Sequence, residues 1–240
     1  MKGRLLVLSL GDPYSNVAFE EALLKAARVP TLRVWENQRS VVIGRGQSAE
    51  HETDLRLCRA GSIPVVRRFT AGGAVYNGPG NLNWSFVVPG GGGARESLDA
   101  NGVFSEFAGM VVKALRGLGV EAEFIPPNTV ATREGKVSGM AAYVSRTGTL
   151  CHGTLLVDAD LGEVESLTTP ADVELPRRYP RSRHTKVANC GVAVGKFVER
   201  LSSMGGGYET DGASEEELDE CSRLVPKYAS DAWNFADPFA

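Results

Sequence analysis

The chain has 240 residues, 42% of them hydrophobic, and a formal net charge of −3 at pH 7. This length favours one domain that can bury a substantial core. The slightly acidic balance argues against a general nucleic-acid-binding protein or a membrane-surface protein.

Two further features concern location. The short apolar run near the N-terminus meets Asp12-Pro13 and predicts a buried strand rather than a signal peptide, and no apolar run approaches membrane-spanning length. The four cysteines lie far apart without a CxxC pair. This spacing fits a reducing cytoplasm and argues against a zinc site or a disulfide framework.

In chain order, the first half predicts strands and helices in alternation without a strict repeat. Strands are predicted over residues 4–9, 31–36, 40–43, 65–68 and 83–88, where β-branched and aromatic residues lie between turn signals. Asn16 is expected to cap a helix over residues 17–27, and a second helix is predicted over 54–60. The strands 31–36 and 40–43 flank a polar turn, and residues 90–93 predict a mobile surface loop.

The second half predicts a helix over residues 103–118 with Gly119 at its C-terminal cap. Strands over 122–125, 129–132, 136–143 and 149–157 predict an antiparallel meander. Helices are predicted over 161–169, 192–204 and 215–224. Residues 176–186 are basic and irregular, either a loop over a negatively charged ligand or an exposed loop without a task. The mixture indicates an α+β fold with a largely antiparallel sheet.

The most informative segment is RRFTAGGAVYNGPGNLNWSF, residues 67–86. Glycine lets backbone approach a ligand closely and reach positive φ. A glycine pair beside two arginines therefore suits an anion held against main-chain N–H groups. A β-hairpin whose glycines only form its turns remains an alternative.

This segment resembles the signature of the lipoate–protein ligase A family, within the superfamily of biotin and lipoate ligases. Further similar motifs are NVAFEE (16–21), VVIGR (41–45), GKVSGMA (135–141), HGTLL (152–156), VAN (187–189) and WNF (233–235). They occur in the family's order over nearly the whole chain. The resemblance implies the fold of biotin–lipoate ligases and class II synthetases, an α+β domain with a mixed, mostly antiparallel sheet flanked by helices.

The resemblance also implies a reaction in two steps. Lipoate and ATP, with Mg²⁺, give lipoyl-AMP and pyrophosphate, and an acceptor lysine then attacks the lipoyl-AMP. Negative charge develops in both steps, so cations and preorganised donors are effective catalysts. Lys136 matches the family lysine that lies against the activated carboxyl and the phosphate, and is assigned the catalytic role. The alternative is a solvated lysine on a turn.

The family pattern assigns further binding residues. Arg68 is expected to contact the nucleotide phosphate or ribose, while Arg67 either shares this contact or pairs with a surface carboxylate. His152 matches a histidine beside the lipoyl pocket, or is simply a hydrogen-bonded histidine in a strand. No residue is assigned as a metal ligand. The expected binding set is Arg68, Ala71, Gly72, Gly73, Ala74, Val75, Tyr76, Asn83, Asn128, Lys136, Gly139, Ala141, His152 and Thr154.

The sequence departs from the family pattern at four places. Ala71 replaces the first of three glycines, which narrows the backbone freedom there, and Asn77-Gly78 replaces a His-Asp pair. Thr129 replaces the acid that follows Asn128, so this segment is either a nucleotide contact without that acid or an ordinary Asn turn. Cys151 replaces a second histidine before His152.

The resemblance predicts partners as well. Single-chain family members continue into a small C-terminal domain after the Trp-Asn motif, and this sequence ends a few residues after Trp233-Asn234. We therefore expect residues 1–240 to form one catalytic domain of the archaeal type, without that accessory domain and assisted by a separate small subunit. Acceptors are expected to be E2 lipoyl domains and the glycine-cleavage H protein, in the cytoplasm.

Two alternatives remain open at this point. A lipoyl or octanoyl transferase of the same superfamily would use a cysteine acyl-enzyme, with Cys151 and Cys190 as candidates. A non-catalytic protein that binds lipoyl-AMP would fit the altered Ala71 and Asn77. A biotin ligase is less favoured, because its arginine- and glycine-rich loop has no counterpart.

Overall fold

The computed structural model describes residues 2–90, 100–168, 179–183 and 185–239. The predicted loop over 90–93 lies outside these residues except for Gly90, as do parts of the basic segment 176–186 and the last residue of the predicted helix 161–169. The strands are β1 (Gly3–Val7), β2 (Thr31–Glu36), β3 (Ser40–Ile43), β4 (Val65–Arg67), β5 (Val75–Asn77), β6 (Asn81–Pro89), β7 (Glu123–Ile125), β8 (Thr129–Thr132), β9 (Gly135–Ser145), β10 (Gly148–Leu156) and β11 (Tyr208–Thr210). The helices are α1 (Pro13–Ala26), α2 (Ala49–Glu52), α3 (Leu55–Ala60), α4 (Ala100–Arg116), α5 (Leu161–Thr168), α6 (Val194–Ser202), α7 (Glu215–Tyr228) and α8 (Asp231–Asn234).

The main sheet has eight strands in the order β11-β1-β2-β6-β10-β9-β8-β7. Strand β1 pairs in parallel with β2 and β11, and the other neighbours pair antiparallel. The predicted mixed, mostly antiparallel sheet is confirmed. Strands β6, β9 and β10 at its centre carry six of the fourteen predicted binding residues.

Alternation along the central strands gives the sheet two apolar layers. Trp84 and Phe86 of β6 face α4 and α6, where Phe86 stacks on Phe107 with ring centroids 4.7 Å apart. Val87 of β6 and Leu150 of β10 belong to the opposite layer, with α1 and α7. Because successive side chains of a strand point to opposite faces, Ser85 and His152 lie on the α1 side.

A second sheet positions the glycine turn. Its order is β4-β3-β5, with β3 parallel to β4 and antiparallel to β5. Arg67 is the last residue of β4 and Arg68 follows it, and the glycine turn connects β4 to β5. This small sheet has its own apolar cluster around Val41, Ile43 and Tyr76.

The predicted cap of the first helix is wrong. Asp12 caps α1, its carboxylate accepting from Ser15 N at 2.8 Å, and Pro13 begins the helix. Asn16 instead lies buried within the first turns, where its amide bonds to the Leu10 backbone and to Asn37. The Asp-Pro pair suits this helix start because proline favours the first helical position.

Other elements differ in partner or extent. Strands β2 and β3 have the predicted bounds, but they join different sheets. Strands β5 and β11 and helices α2 and α8 were not predicted, since each has only three or four residues. The predicted glycine cap is confirmed: Gly119 has φ +83°, and Val120 N donates to Leu115 O beyond the end of α4.

Candidate active site

A cleft opens where the start of β5 faces β9, β10 and the loop that carries Ser182. It brings together six predicted binding residues, which are Ala74, Val75, Tyr76, Lys136, Gly139 and Thr154. The remaining lining residues are Val137, Ser138, Leu156, Val164, Thr168, Ser182, Arg183, Thr185 and Val187. The cleft therefore joins the glycine turn to the strand that carries the predicted catalytic lysine.

Lys136 is the half-buried cation of this cleft. Its backbone is held on both sides, because its N–H donates to Lys186 O and its carbonyl accepts from Ala188 N, both at 2.9 Å. Burial lowers the pKa of its ammonium, and the nearby Arg68 charge lowers it further. An unfavourably solvated ammonium of this kind gains most from an anionic ligand.

Gly139 makes room for the Lys136 head group. A Cβ at position 139 would lie 2.7 Å from Nζ and 2.8 Å from Cε, distances that real side chains do not tolerate. The ammonium thus lies over the glycine, facing the middle of β9. Glycine inside a strand often marks such a close approach.

Arg68 holds the glycine turn from inside. Its guanidinium donates to Ala71 O at 2.7 Å and Gly73 O at 2.9 Å, and also to Val42 O and Thr70 Oγ1. The side chain is buried, and burial lowers the pKa of Arg68 to about 10, opposed by the Glu20 charge. Its predicted nucleotide contact stays a prediction, because these acceptors already engage most of its donors.

The turn itself needs glycine at one position. Gly72 has φ +99°, whereas Ala71 is not in the left-handed region. The alanine that replaces the family's first glycine is therefore compatible with this backbone. Gly72 also packs closely, since a Cβ there would lie 2.9 Å from Arg68 Nη2 and 3.6 Å from Ala141 Cβ.

Arg67 serves a different part of the molecule. Its guanidinium donates to the carbonyls of Trp233, Asn234 and Ala236 in the C-terminal segment. It also donates to the carbonyls of Arg45 and Gln47. Neither of the two expected roles describes this arrangement, in which Arg67 anchors the segment that resembles the family's Trp-Asn motif.

Ser182, in the basic segment 176–186, lies against the end of the glycine turn. Ala74 N donates to Ser182 Oγ at 2.7 Å, and Gln47 Nε2 donates to the same oxygen at 3.1 Å. The Ser182 hydroxyl and amide in turn donate to the buried carboxylate of Glu52, which also pairs with Arg181. A ligand oxygen that accepted from Ala74 N would occupy the place of the Ser182 hydroxyl.

His152 lies in a buried hydrogen-bonded chain rather than on the cleft surface. Its Nδ1 lies 2.6 Å from Glu20 Oε2 on α1, and its Nε2 lies 2.8 Å from Thr70 Oγ1. Burial would raise the pKa of Glu20, but His152, Arg33 and the Ser85 hydroxyl together lower it. Sequence analysis did not identify Glu20 and Thr70 as partners of His152, although a carboxylate four positions after Asn16 on the buried face of α1 indicated a buried polar contact.

The remaining predicted residues lie around this centre. Asn83 on β6 is paired in register with Thr154 on β10, and its buried Nδ2 is without a hydrogen-bond partner in the described part of the chain. Asn128 fixes β9, because its amide donates to Met140 O and its carbonyl accepts from Met140 N. The Tyr76 hydroxyl donates to Glu163, and burial followed by this carboxylate raises the pKa of Tyr76 to about 12.

The cysteines and the carboxylates add two observations. Cys151 is fully buried, and burial raises the pKa of its thiol, as it does for the less buried Cys190. Among the described residues, His, Cys, Asp and Glu side chains form no group of three or more that could hold a metal ion. Over the same residues, no helix is long and apolar enough to cross a membrane.

Residues 12–200 match the lipoyl protein ligase A/B catalytic domain. The chain belongs to this family. The ligase family assignment confirms the resemblance, the fold class and the expected enzyme class.

Individual relatives of this ligase family agree. The chain is 30% identical to lipoate-protein ligase A subunit 1 of Thermoplasma acidophilum, over 98% of this chain and 97% of that protein. A T. acidophilum lipoate protein ligase solved with bound lipoic acid has a TM-score of 0.83 and 28% identity, covering 98% of this chain and 99% of that one. A second structure from that organism is of a bi-partite ligase and its E2 lipoyl domain. It has a TM-score of 0.84 and 28% identity, covering 99% of this chain and 97% of that one.

One neighbour carries the nucleotide. A lipoate-protein ligase A bound with ATP has a TM-score of 0.84 and 29% identity, covering 99% of this chain and all of that one. The neighbours thus bind the two small molecules that the sequence predicts as substrates. Both ligands belong to those proteins, and the contacts of this chain's own residues are proposed below.

Proposed function

We propose that this chain is the catalytic subunit of a lipoate–protein ligase that forms lipoyl-AMP from lipoate and ATP and transfers the lipoyl group to an acceptor lysine. The observation that carries the proposal is the Lys136 ammonium, half-buried in a cleft whose opposite wall begins at the glycine turn. A cation in that place meets the α-phosphate and the acyl oxygen of the same intermediate.

The first step is a displacement at phosphorus. A lipoate carboxylate oxygen attacks the α-phosphorus of ATP, and pyrophosphate leaves with the electron pair of the broken P–O bond. Lys136 stabilises the charge that develops on the α-phosphate oxygens. The backbone around Gly73 and Ala74 is proposed to hold the adenylate, with Arg68 keeping the turn in shape.

The second step is acyl transfer. The neutral amine of the acceptor lysine attacks the acyl carbon, AMP leaves with its bonding electron pair, and the nitrogen loses one proton to solvent as the amide forms. Lys136 can follow the negative charge from phosphate to acyl oxygen, because its three donors are carried on a flexible stem. Gly139 leaves the space in which this head group moves.

Mg²⁺ remains a prediction. Mg²⁺ usually binds through substrate phosphates and one or two carboxylates. The described residues do not offer a preformed carboxylate cluster, and Asn128 is engaged with β9. No step is therefore assigned to the metal.

The partner and the acceptors are proposed from the T. acidophilum relatives. Similarity to a subunit 1 and to a bi-partite ligase supports a separate small subunit that assists adenylation. An E2 lipoyl domain is the favoured acceptor class, and the H protein is a second candidate. The small subunit is proposed to exclude water from the site, which matters most for the step that forms the hydrolysable lipoyl-AMP anhydride.

The decisive experiment uses chemically made lipoyl-AMP and a purified E2 lipoyl domain. Mass spectrometry should show lipoylation of the domain by this chain alone, and Lys136→Met should slow it by about 10²–10³-fold. In parallel, pyrophosphate release from lipoate and ATP should be slow for the single chain. Robust release without a partner would contradict the split-enzyme proposal, and equal labelling by the Lys136→Met variant would contradict the catalytic one.

The raised pKa values of the cysteine thiols argue against a transferase that uses a cysteine acyl-enzyme. Attack by cysteine needs a thiolate, and burial raises the pKa of both Cys151 and Cys190. Replacing each by serine should leave transfer from lipoyl-AMP to the E2 lipoyl domain in place. Loss of transfer from lipoyl-AMP in Cys190→Ser, with the fold intact, would instead favour an acyl-enzyme.

A further inference from the structure

Glu20, His152 and Thr70 form a buried chain of hydrogen bonds that joins helix α1 to the glycine turn. Glu20 and Thr70 are 3% and 0% exposed. They cannot touch a ligand in the cleft, so any influence on ligand binding must pass through other residues. The chain of contacts continues from Thr70 Oγ1 to Arg68 Nε at 3.0 Å.

The directions of these hydrogen bonds follow from the donors available. Arg68 Nε can only donate, so Thr70 Oγ1 accepts from it. The Thr70 hydroxyl proton then has His152 Nε2, 2.8 Å away, as its acceptor. This leaves the proton of a neutral imidazole on Nδ1, where it donates to the Glu20 carboxylate at 2.6 Å. In this arrangement every proton of the chain has an acceptor.

The chain ends on the backbone that forms the cleft wall. Arg68, oriented at Nε by Thr70, donates from Nη2 to Ala71 O and Gly73 O. The carbonyl of Thr70 also accepts from Arg45 N at 2.9 Å. The position of the Thr70 hydroxyl therefore determines how the arginine holds the turn before Ala74.

Glu20 is a costly residue at this place. A buried carboxylate loses hydration, and here it is compensated by three different elements: the Ser85 hydroxyl on β6, the Arg33 charge on β2 and the His152 ring on β10. A simple link between α1 and the sheet could be made by apolar packing, which already surrounds Phe19 and Leu23.

We propose that Glu20 is a positioning residue of the ligase: its carboxylate fixes the His152 ring, which fixes Thr70 and Arg68 and so keeps the glycine turn in the geometry that binds the adenylate. This inference rests on the proposed function, in which the turn binds the adenylate. Because the turn contacts the adenylate before and during transfer, the relay contributes mainly to binding.

The test compares Glu20→Gln and Thr70→Val with Glu21→Gln as the matched control. Glu21 is the next residue of α1, and its carboxylate pairs with Lys25 and Lys227 away from the cleft. Transfer from lipoyl-AMP to an E2 lipoyl domain gives kcat and KM, and thermal unfolding gives Tm. Glu20→Gln and Thr70→Val should each raise KM for lipoyl-AMP about tenfold, the size of one lost hydrogen bond to a charged group, with little change in kcat.

The double variant and the control separate positioning from stability. If the residues act as one relay, Glu20→Gln with Thr70→Val should be no worse than the poorer single variant. Glu21→Gln should lower Tm and leave KM unchanged. Additive effects on KM, or a Glu20→Gln variant that lowers only Tm, would overturn the proposal. If Glu20→Gln does not fold, the test rests on Thr70→Val alone. An unchanged KM for lipoyl-AMP in Thr70→Val would then overturn the proposal.

A spectroscopic readout does not depend on activity. In ¹⁵N spectra of the imidazole rings, with the His152 signal assigned by its loss in His152→Asn, the wild-type ring should carry a proton on Nδ1. The signal should move in Glu20→Gln and stay in Glu21→Gln. A wild-type ring protonated at Nε2 alone would overturn the relay. Absence of any lipoyl transfer by the wild-type protein would instead refute the proposed function, while the ring signal would still test the hydrogen-bonded chain.

Discussion

Arg67 and Arg68 are neighbours in the sequence, yet they support opposite regions of the molecule. Arg67 donates to carbonyls of the C-terminal segment around Trp233 and Asn234. Arg68 points to the other side of the strand end and donates to carbonyls of the glycine turn. Each uses its fork of donors to fix backbone rather than to contact a carboxylate.

The comparison shows how a motif can be diagnostic without every charge in it facing the ligand. Guanidinium groups present five donors in a rigid fork, which suits a cluster of carbonyls at a turn or a chain crossing. The half-buried cation of the cleft comes instead from Lys136 on β9, and the exposed Arg183 also lines the cleft. Of the two regions that the arginines hold, only the glycine turn leads into the lining of the Lys136 cleft.

The largest expected effect separates Lys136 from both arginines. Lys136→Met should reduce lipoyl transfer by about 10²–10³-fold, the usual loss when one charge-stabilising donor is removed. Its thermal stability should not fall, because a poorly solvated ammonium is removed from the protein. Single-turnover transfer and a Tm measurement check both statements, and a large fall in Tm would show that Lys136 is structural.

The same lysine predicts a pH dependence. Burial, then the Arg68 charge, lowers its pKa in the folded protein below the ordinary 10.5. Between the folded-state and unfolded-state pKa values the unfolded chain binds more protons, so this group makes the protein more stable as pH rises through that window. Transfer should decline at a pH below 10.5 as the ammonium is lost, and this alkaline limb should be missing in Lys136→Met.

The arginine comparison itself can be broken by paired substitutions. Arg67→Met and Arg68→Met should each cost about 3 kcal/mol of unfolding free energy, because several buried carbonyls lose their donor. Only Arg68→Met should also weaken the binding of lipoyl-AMP to the folded protein. Denaturant unfolding and calorimetric binding measure the two quantities. Equal loss of binding in both variants would mean that the C-terminal segment also shapes the cleft.

Gly72→Ala sharpens the contrast on the turn side. The residue has φ +99°, and the new methyl would lie 2.9 Å from Arg68 Nη2. We expect a loss of about 2 kcal/mol from backbone strain, together with weaker lipoyl-AMP binding. Gly109→Ala is a suitable control, because its added Cβ meets nothing within 4 Å and it lies in α4.

The smallest effect belongs to the other side. Trp233→Phe removes the indole N–H that donates to Arg67 O at 2.7 Å and keeps a smaller aromatic ring beside Tyr228. The expected cost is about 1 kcal/mol of stability, with KM for lipoyl-AMP unchanged. A raised KM without a lower Tm would show that the C-terminal segment reaches the ligand.

The sequence predicted the fold well because its strands and long helices carry clear periodicity. The meander from β8 to β10 and the helix α4 were readable from alternation and from the Gly119 cap. The short elements were not, since β5 and β11 contain too few residues to show a period. The capping error at Asn16 arose because an asparagine can cap a helix or hydrogen-bond inside a buried turn with equal chemistry.

Individual residues of the candidate site could be predicted from the sequence, but their hydrogen-bond partners could not. Motif resemblance pointed to Lys136 and the turn from Gly72 to Tyr76, and the cleft includes several of these residues. The partners of Arg68 and His152 could not be read from sequence, because Glu20 lies 132 residues from His152. Hydrogen bonds over such separations are decided by strand order, which the sequence does not state.

Gly139 shows what a missing side chain can contribute. A glycine in mid-strand weakens the strand that contains it, and here the freed volume is filled by the end of the Lys136 side chain. The flexibility of an aliphatic stem is useful only if its tip has somewhere to travel. A single methyl at this position would push the end of the Lys136 side chain away from β9, so the residue beneath the lysine helps to set where its charge lies.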